Sequence, residues 1–148
     1  MLRHVLALTF MLLVFLPAAR AGEVVVPVQV VATSSDSVGQ RLVYQLKEGI
    51  RRSTRLDLTD DAKLGMQLSV VTLEGDRSSP GSYTIYSVVW SWNNPEQNLF
   101  PFYLTSSVGN CGSNRVQACA EDLVADTDEQ STRVIQLLKA VLRTSQQK

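Results

Sequence analysis

The sequence predicts an α+β domain for residues 22–148: one mixed, mainly antiparallel sheet in the order β-α-β-β-β-α, with helices packed on it. Three observations carry this. Residues 82–92 (S-Y-T-I-Y-S-V-V-W-S-W) are β-branched and aromatic without Pro or Gly, the strongest strand signal in the chain. Val38, Leu42, Leu46 and Ile50 recur every fourth residue, the spacing of one helix face. Residues 63–74 alternate apolar and polar, as a half-buried strand does.

Taken in order, residues 1–21 stand apart from the fold. Arg3 and His4 precede an apolar run, residues 5–16; Pro17 breaks it and Ala19-Arg20-Ala21 fits a small-x-small cleavage site. The run is shorter than the roughly 20 residues a bilayer span needs, so a cleaved signal peptide is expected, with no stable membrane span afterwards. Residues 23–32 are Val-rich and nearly continuous, as in a strand buried on both faces; Pro27 demands an edge or a bulge there. A helix starts at Asp36 or Ser37, where Ser37-x-x-Gln40 has capping-box spacing, and ends at the cations Arg51 and Arg52. Leu56 and Leu58 alternate with Arg55 and Asp57 in a short extended segment. Residues 63–74, 82–92 and 99–108 form an antiparallel meander. The turn at residues 109–114 holds Cys111, and helical spacing from Arg115 places Cys119 in the first turns that follow. The polar run 126–130 is expected to break this second helix.

Composition narrows function mainly by exclusion. Arg3 and Arg20 are the only charged side chains before residue 22, so the remainder keeps 12 Lys/Arg against 14 Asp/Glu, about −2. That balance argues against a nucleic-acid partner. His4, the only histidine, leaves with the leader, so no Ser-His-Asp triad, Cys-His pair or histidine zinc site can form. Lys47, Lys63 and Lys139 carry no serine–lysine motif around them. Asp57, Asp60 and Asp61 read as solvated loop acids. Asp122, Asp126, Asp128 and Glu129 lack the Gly and distal Glu of a calcium loop. The chain is thus expected to be non-enzymatic, with no metal and no cofactor.

The cysteine pair, Cys111 and Cys119, is expected to form a disulfide, which places the chain in an oxidising compartment. With the leader, and without any Asn-x-Ser/Thr acceptor, this implies a bacterial periplasmic or secreted location.

The valine strand at residues 24–31, followed by a helix leading into L-K-E-G-I-R-R-S-T-R-L-D-L (residues 46–58), resembles small bacterial envelope domains. These are of the TolB N-terminal type and the LpoB penicillin-binding-protein-activator type. The chain has neither the β-propeller of the former nor the lipidated cysteine of the latter. The resemblance implies docking to another envelope protein.

Within residues 82–92, Tyr86, Trp90 and Trp92 share one face and form the candidate interaction face. The expected role is a small exported protein-interaction module, its partner another cell-envelope protein or a second copy in a homodimer. The alternative is a small-molecule or lipid carrier that uses the aromatic face as a pocket wall.

Overall fold

The computed structural model describes residues 24–61, 64–76, 78–94 and 100–146. The expected leader, Lys63 and much of the turn after residue 94 lie outside them. Seven elements follow in order: β1 (Val26–Ser34), α1 (Ser37–Arg52), β2 (Leu56–Leu58), β3 (Gly65–Glu74), β4 (Tyr83–Asn93), β5 (Phe102–Gly112) and α2 (Val116–Ser145). The fold is α+β, a five-stranded mixed sheet in the order β2-β1-β3-β4-β5. β1 runs parallel to β2 and β3, and β3-β4-β5 is the expected antiparallel meander. The short extended segment at Leu56 and Leu58 is a strand in its own right and forms one edge.

Both helices cover the same sheet face. Cross-strand register aligns Val28, Met66, Trp92 and Phe102 in one row and Val30, Leu68, Trp90 and Thr105 in the next. Val38, Leu42, Leu46 and Ile50 of α1 close over these rows and are buried. Burying each such side chain contributes roughly 1.5–3 kcal/mol, which outweighs any helix propensity here, so packing fixes α1.

β1 differs from expectation. Val26, Val28 and Val30 are buried, but Val31 and Thr33 on the other face are exposed, because no layer covers that side. Pro27 sits where a local edge was expected. Val26 N–H donates to the Arg55 carbonyl and Thr59 N–H to the Val28 carbonyl, so these alternate residues bond β2. Pro27 faces the other way, one residue before the register with β3 begins at Val28 and Met66. No ladder bond is lost by its missing N–H.

Asp36 caps α1 and does more than cap. Its Oδ1 accepts from Gly39 N–H at 2.6 Å, and its Oδ2 accepts from Thr72 Oγ1 at 2.8 Å. Thr84 Oγ1 lies 3.0 Å from the same Oδ2. All three side chains are buried. Asp36 therefore ties the start of α1 to the adjacent strands β3 and β4. Gly39 is fixed by the same contact: a Cβ there would fall 2.0 Å from Thr72 Oγ1.

Two boundaries also differ. α2 is one continuous helix of 30 residues, with no break at residues 126–130. The hydroxyls of Thr127, Ser131 and Thr132 are bonded to the helix's own backbone. Thr127 donates to the Leu123 carbonyl, and the Ser131 and Thr132 hydroxyls both donate to the Asp128 carbonyl. Cys111 lies in β5 rather than in a turn, because β5 runs on to Gly112 opposite Tyr83.

Candidate interaction surface

The aromatic face of β4 lies on the covered side of the sheet. Trp90 is 1% exposed and Trp92 9%, packed within the core under the helices. The Trp90 indole N–H donates to Thr127 Oγ1 of α2 at 3.0 Å. Tyr86 is half-buried and lies across Gly109 of β5, where a Cβ would fall 2.5 Å from its hydroxyl oxygen. Burial pushes the Tyr86 phenol above its ordinary pKa, and the nearby Asp122 and Asp126 add to this. Trp90 and Trp92 are therefore core side chains rather than a free interaction face, and Tyr86 packs half-buried at the core's margin. Sequence alternation groups them correctly, but it does not say which face two helices will choose.

Two grooves lie elsewhere on the molecule. One groove of about 450 Å³ lies between the N-terminal parts of α1 and α2, walled by Gln40, Arg41, Tyr44 and Gln117 among others. A second lies near Gly49, Arg55 and Val124. Neither is walled by Tyr86, Trp90 or Trp92.

The cysteines are joined as expected. Cys111 and Cys119 form a disulfide with Cα atoms 6.2 Å apart, linking the end of β5 to the first turn of α2. Such a bond belongs to an extracytoplasmic compartment. No helix among the described residues is long and apolar enough to cross a membrane.

The acids singled out in the sequence fall in two separate places, at edge strand β2 and along α2. Asp57 lies on edge strand β2 and Asp60 and Asp61 follow it, all three away from the core. Asp128 pairs with Arg55 at 2.9 Å, and Arg55 also donates to Thr132 Oγ1, which ties the start of β2 to α2. Asp126 has its carboxyl pushed above the ordinary range by burial first, then by Glu129 and Asp122.

The opposite sheet face is the one left uncovered. Register places Leu73 beside Ile85, and Val71 beside Ser87, which is beside Val108. Together with Val31 these form an uncovered apolar patch; Val108 is 74% exposed. Below it the face turns polar, through Gln29, Gln67, Ser69 and Ser91. The patch borders β5, which is an edge of the sheet. β5 is 11 residues long and carries neither charge nor proline, the two common devices that discourage strand pairing. One irregularity interrupts it. Trp90 pairs Thr105 while Ser91 pairs Tyr103, so Leu104 is an extra residue. The sequence signal was the apolar content of both faces of β4, which two helices on one side could not satisfy.

No family model and no curated protein matches the sequence. Solved structures do. A Xanthomonas campestris protein of the family model DUF330 aligns at 11% identity and a TM-score of 0.40, over 84% of this chain and 90% of its own. A minor lipoprotein from Acinetobacter baumannii aligns at 14% identity and a TM-score of 0.37, over 72% and 93%. Rare lipoprotein B from Shewanella oneidensis aligns at 16% identity and a TM-score of 0.31, over 78% and 98%. The chain thus bears a distant likeness to bacterial lipoproteins. At these values the likeness gives it neither a function nor a residue role.

Proposed function

We propose that this chain is a small, non-enzymatic, extracytoplasmic interaction module that takes up an extended segment of another envelope protein along β5. The single observation behind this is an uncharged 11-residue edge beside an uncovered apolar sheet face. An added strand would complete the edge's backbone hydrogen bonds, and alternate side chains would cover Val108 and its neighbours. The absence of histidine after residue 4 favours binding over catalysis.

The experiment is photo-crosslinking from position 106 in the exporting host, compared with the same probe in Tyr103→Lys and Val108→Lys backgrounds. The expected result is one discrete protein adduct that both lysines abolish. An adduct unaffected by either lysine, or no adduct at all, defeats the reading. An adduct with a second copy of the chain would replace the foreign strand by a homodimer.

A further inference from the structure

α2 outruns the sheet. Cys119 is bonded to Cys111, Thr127 meets Trp90, and Asp128 and Thr132 meet Arg55 at the start of β2. Along α2 the contacts thus descend the sheet, to the end where Val26 pairs Leu56 and Trp92 pairs Phe102. The last residue of α2 buried against the body is Val134. The helix then continues to Ser145, about 16 Å at 1.5 Å per residue.

This projecting part is amphipathic and of one charge. Leu137, Leu138, Val141 and Leu142 extend the buried stripe of α2, yet are 44–67% exposed. At 100° per residue they fall with Val134 and Ile135 within an arc of about 160°. Lys139 lies beside that arc and Arg143 opposite it; Arg133, on the other side, precedes the projecting part and is paired with Glu129. After Glu129 the chain has no acid, and Lys148 adds another cation; from Val116 to Glu129 it has five acids and no base. A broad apolar arc flanked by cations suits the boundary between headgroups and acyl chains better than the narrow seam of a helix pair.

The same end of the molecule carries further exposed apolar side chains. Val24 and Val25 precede β1, Leu64 precedes β3, Phe100 precedes β5 and Phe102 opens it.

We infer that the projecting last third of α2 is a membrane-surface anchor that lies on a bilayer bearing anionic lipid, its apolar arc in the headgroup boundary, Lys139 beside it at the phosphates and Arg143 on the outward side adding to the attraction. The anchor spans nothing. It is distinct from the β5 edge and stands whether or not that edge binds a strand.

Co-sedimentation of the purified, host-processed chain with lipid vesicles tests this. The vesicles are phosphatidylcholine alone, or phosphatidylcholine with about a third phosphatidylglycerol. Binding is expected only to the anionic vesicles, and should fall steeply between 0.1 and 0.5 M salt, roughly as screening of surface charge requires. Lys139→Gln/Arg143→Gln should weaken it about 30-fold, from roughly 1 kcal/mol for each cation near the surface. Leu138→Gln/Val141→Gln should abolish it while leaving the thermal transition in place, since both residues lie beyond the packed body. Equal binding of the Lys139→Gln/Arg143→Gln variant overturns the anchor, as does no binding by the parent chain. So would light scattering that shows a dimer of the parent chain and a monomer of Leu138→Gln/Val141→Gln, because a second copy would then cover the stripe.

Discussion

Replacing Asp36 gives the most direct test of how the upper core is held. Asp36→Ala removes the α1 cap, which costs about 1 kcal/mol. It also removes the carboxylate that accepts from Thr72 and Thr84. A hydrogen bond to a charged group contributes roughly 1.5–3 kcal/mol, and the low end applies here. Both hydroxyls have a fallback: Thr72 sits 2.7 Å from Ser34 Oγ, and Thr84 3.1 Å from the Leu73 carbonyl. The expected loss is about 4 kcal/mol for Ala. Asn keeps the shape and the bond from Gly39 N–H, and the expected loss is about 1.5 kcal/mol. With roughly 2.1 cal/mol/K of unfolding entropy per residue, each kcal/mol lowers Tm by about 4 °C in a domain of this size, so Ala should lose about 15 °C. Urea and thermal melts followed by far-UV circular dichroism measure both variants. The reasoning fails if Ala costs under about 1 kcal/mol, or if Asn costs as much as Ala. Gly39→Ala checks the same site by sign. Helix propensity alone would stabilise it by up to about 1 kcal/mol, whereas the collision with Thr72 Oγ1 should destabilise it by about 1–3 kcal/mol.

Other expectations concern the staple, the tryptophans and pH. Cys111→Ser/Cys119→Ser should lower stability by about 2–3 kcal/mol, the chain-entropy value for so short a loop, as read from urea midpoints. Trp90→Phe loses the bond to Thr127 and leaves a gap, about 2–3 kcal/mol, and acrylamide should quench the parent protein's two indoles slowly. Rapid quenching of both would show that the covered face is not covered. The Asp126 carboxyl has a raised pKa in the fold, so its protonated form is the favoured one. Its contribution is full below the ordinary carboxylate pKa and is lost as pH rises through the folded value. Asp126→Asn should therefore raise Tm at pH 7 and leave it unchanged near pH 3. The Tyr86 phenol is also raised, so stability should fall as pH climbs above about 10, and Tyr86→Phe should remove that part of the fall.

Periodicity made the helix-facing residues of α1 legible, along with the faces of β3 and β4, because each pattern has a single physical solution at its spacing. The disulfide was legible from its even count. Three features were not, for separate reasons. Which face of β4 the helices cover depends on where α2 lands after β5, a tertiary choice that no local pattern records. Continuity of α2 through residues 126–130 rests on Thr127 being buried against Trp90, a contact between residues 37 apart. The run of β5 past Gly109 to Cys111 depends on pairing with β4, where Tyr86 itself fills the space a side chain at Gly109 would take.

The sheet order sets an assembly order that differs from the order of synthesis. β4 and β5 meet across a closure as short as Trp92 to Phe102, and β3 and β4 across Glu74 to Thr84. β1 reaches β3 only by joining Val28 to Met66, 38 residues apart, with α1 in between. Closing the longer loop costs about 1 kcal/mol more in chain entropy, before any packing of α1 offsets it. On loop closure alone the first strand to be made is expected to be the last enclosed, its valines waiting on the meander for a neighbour. Pulse-labelling hydrogen exchange during refolding should protect β3–β5 amides before those of β1; the reverse order would place the nucleus at the parallel pair instead.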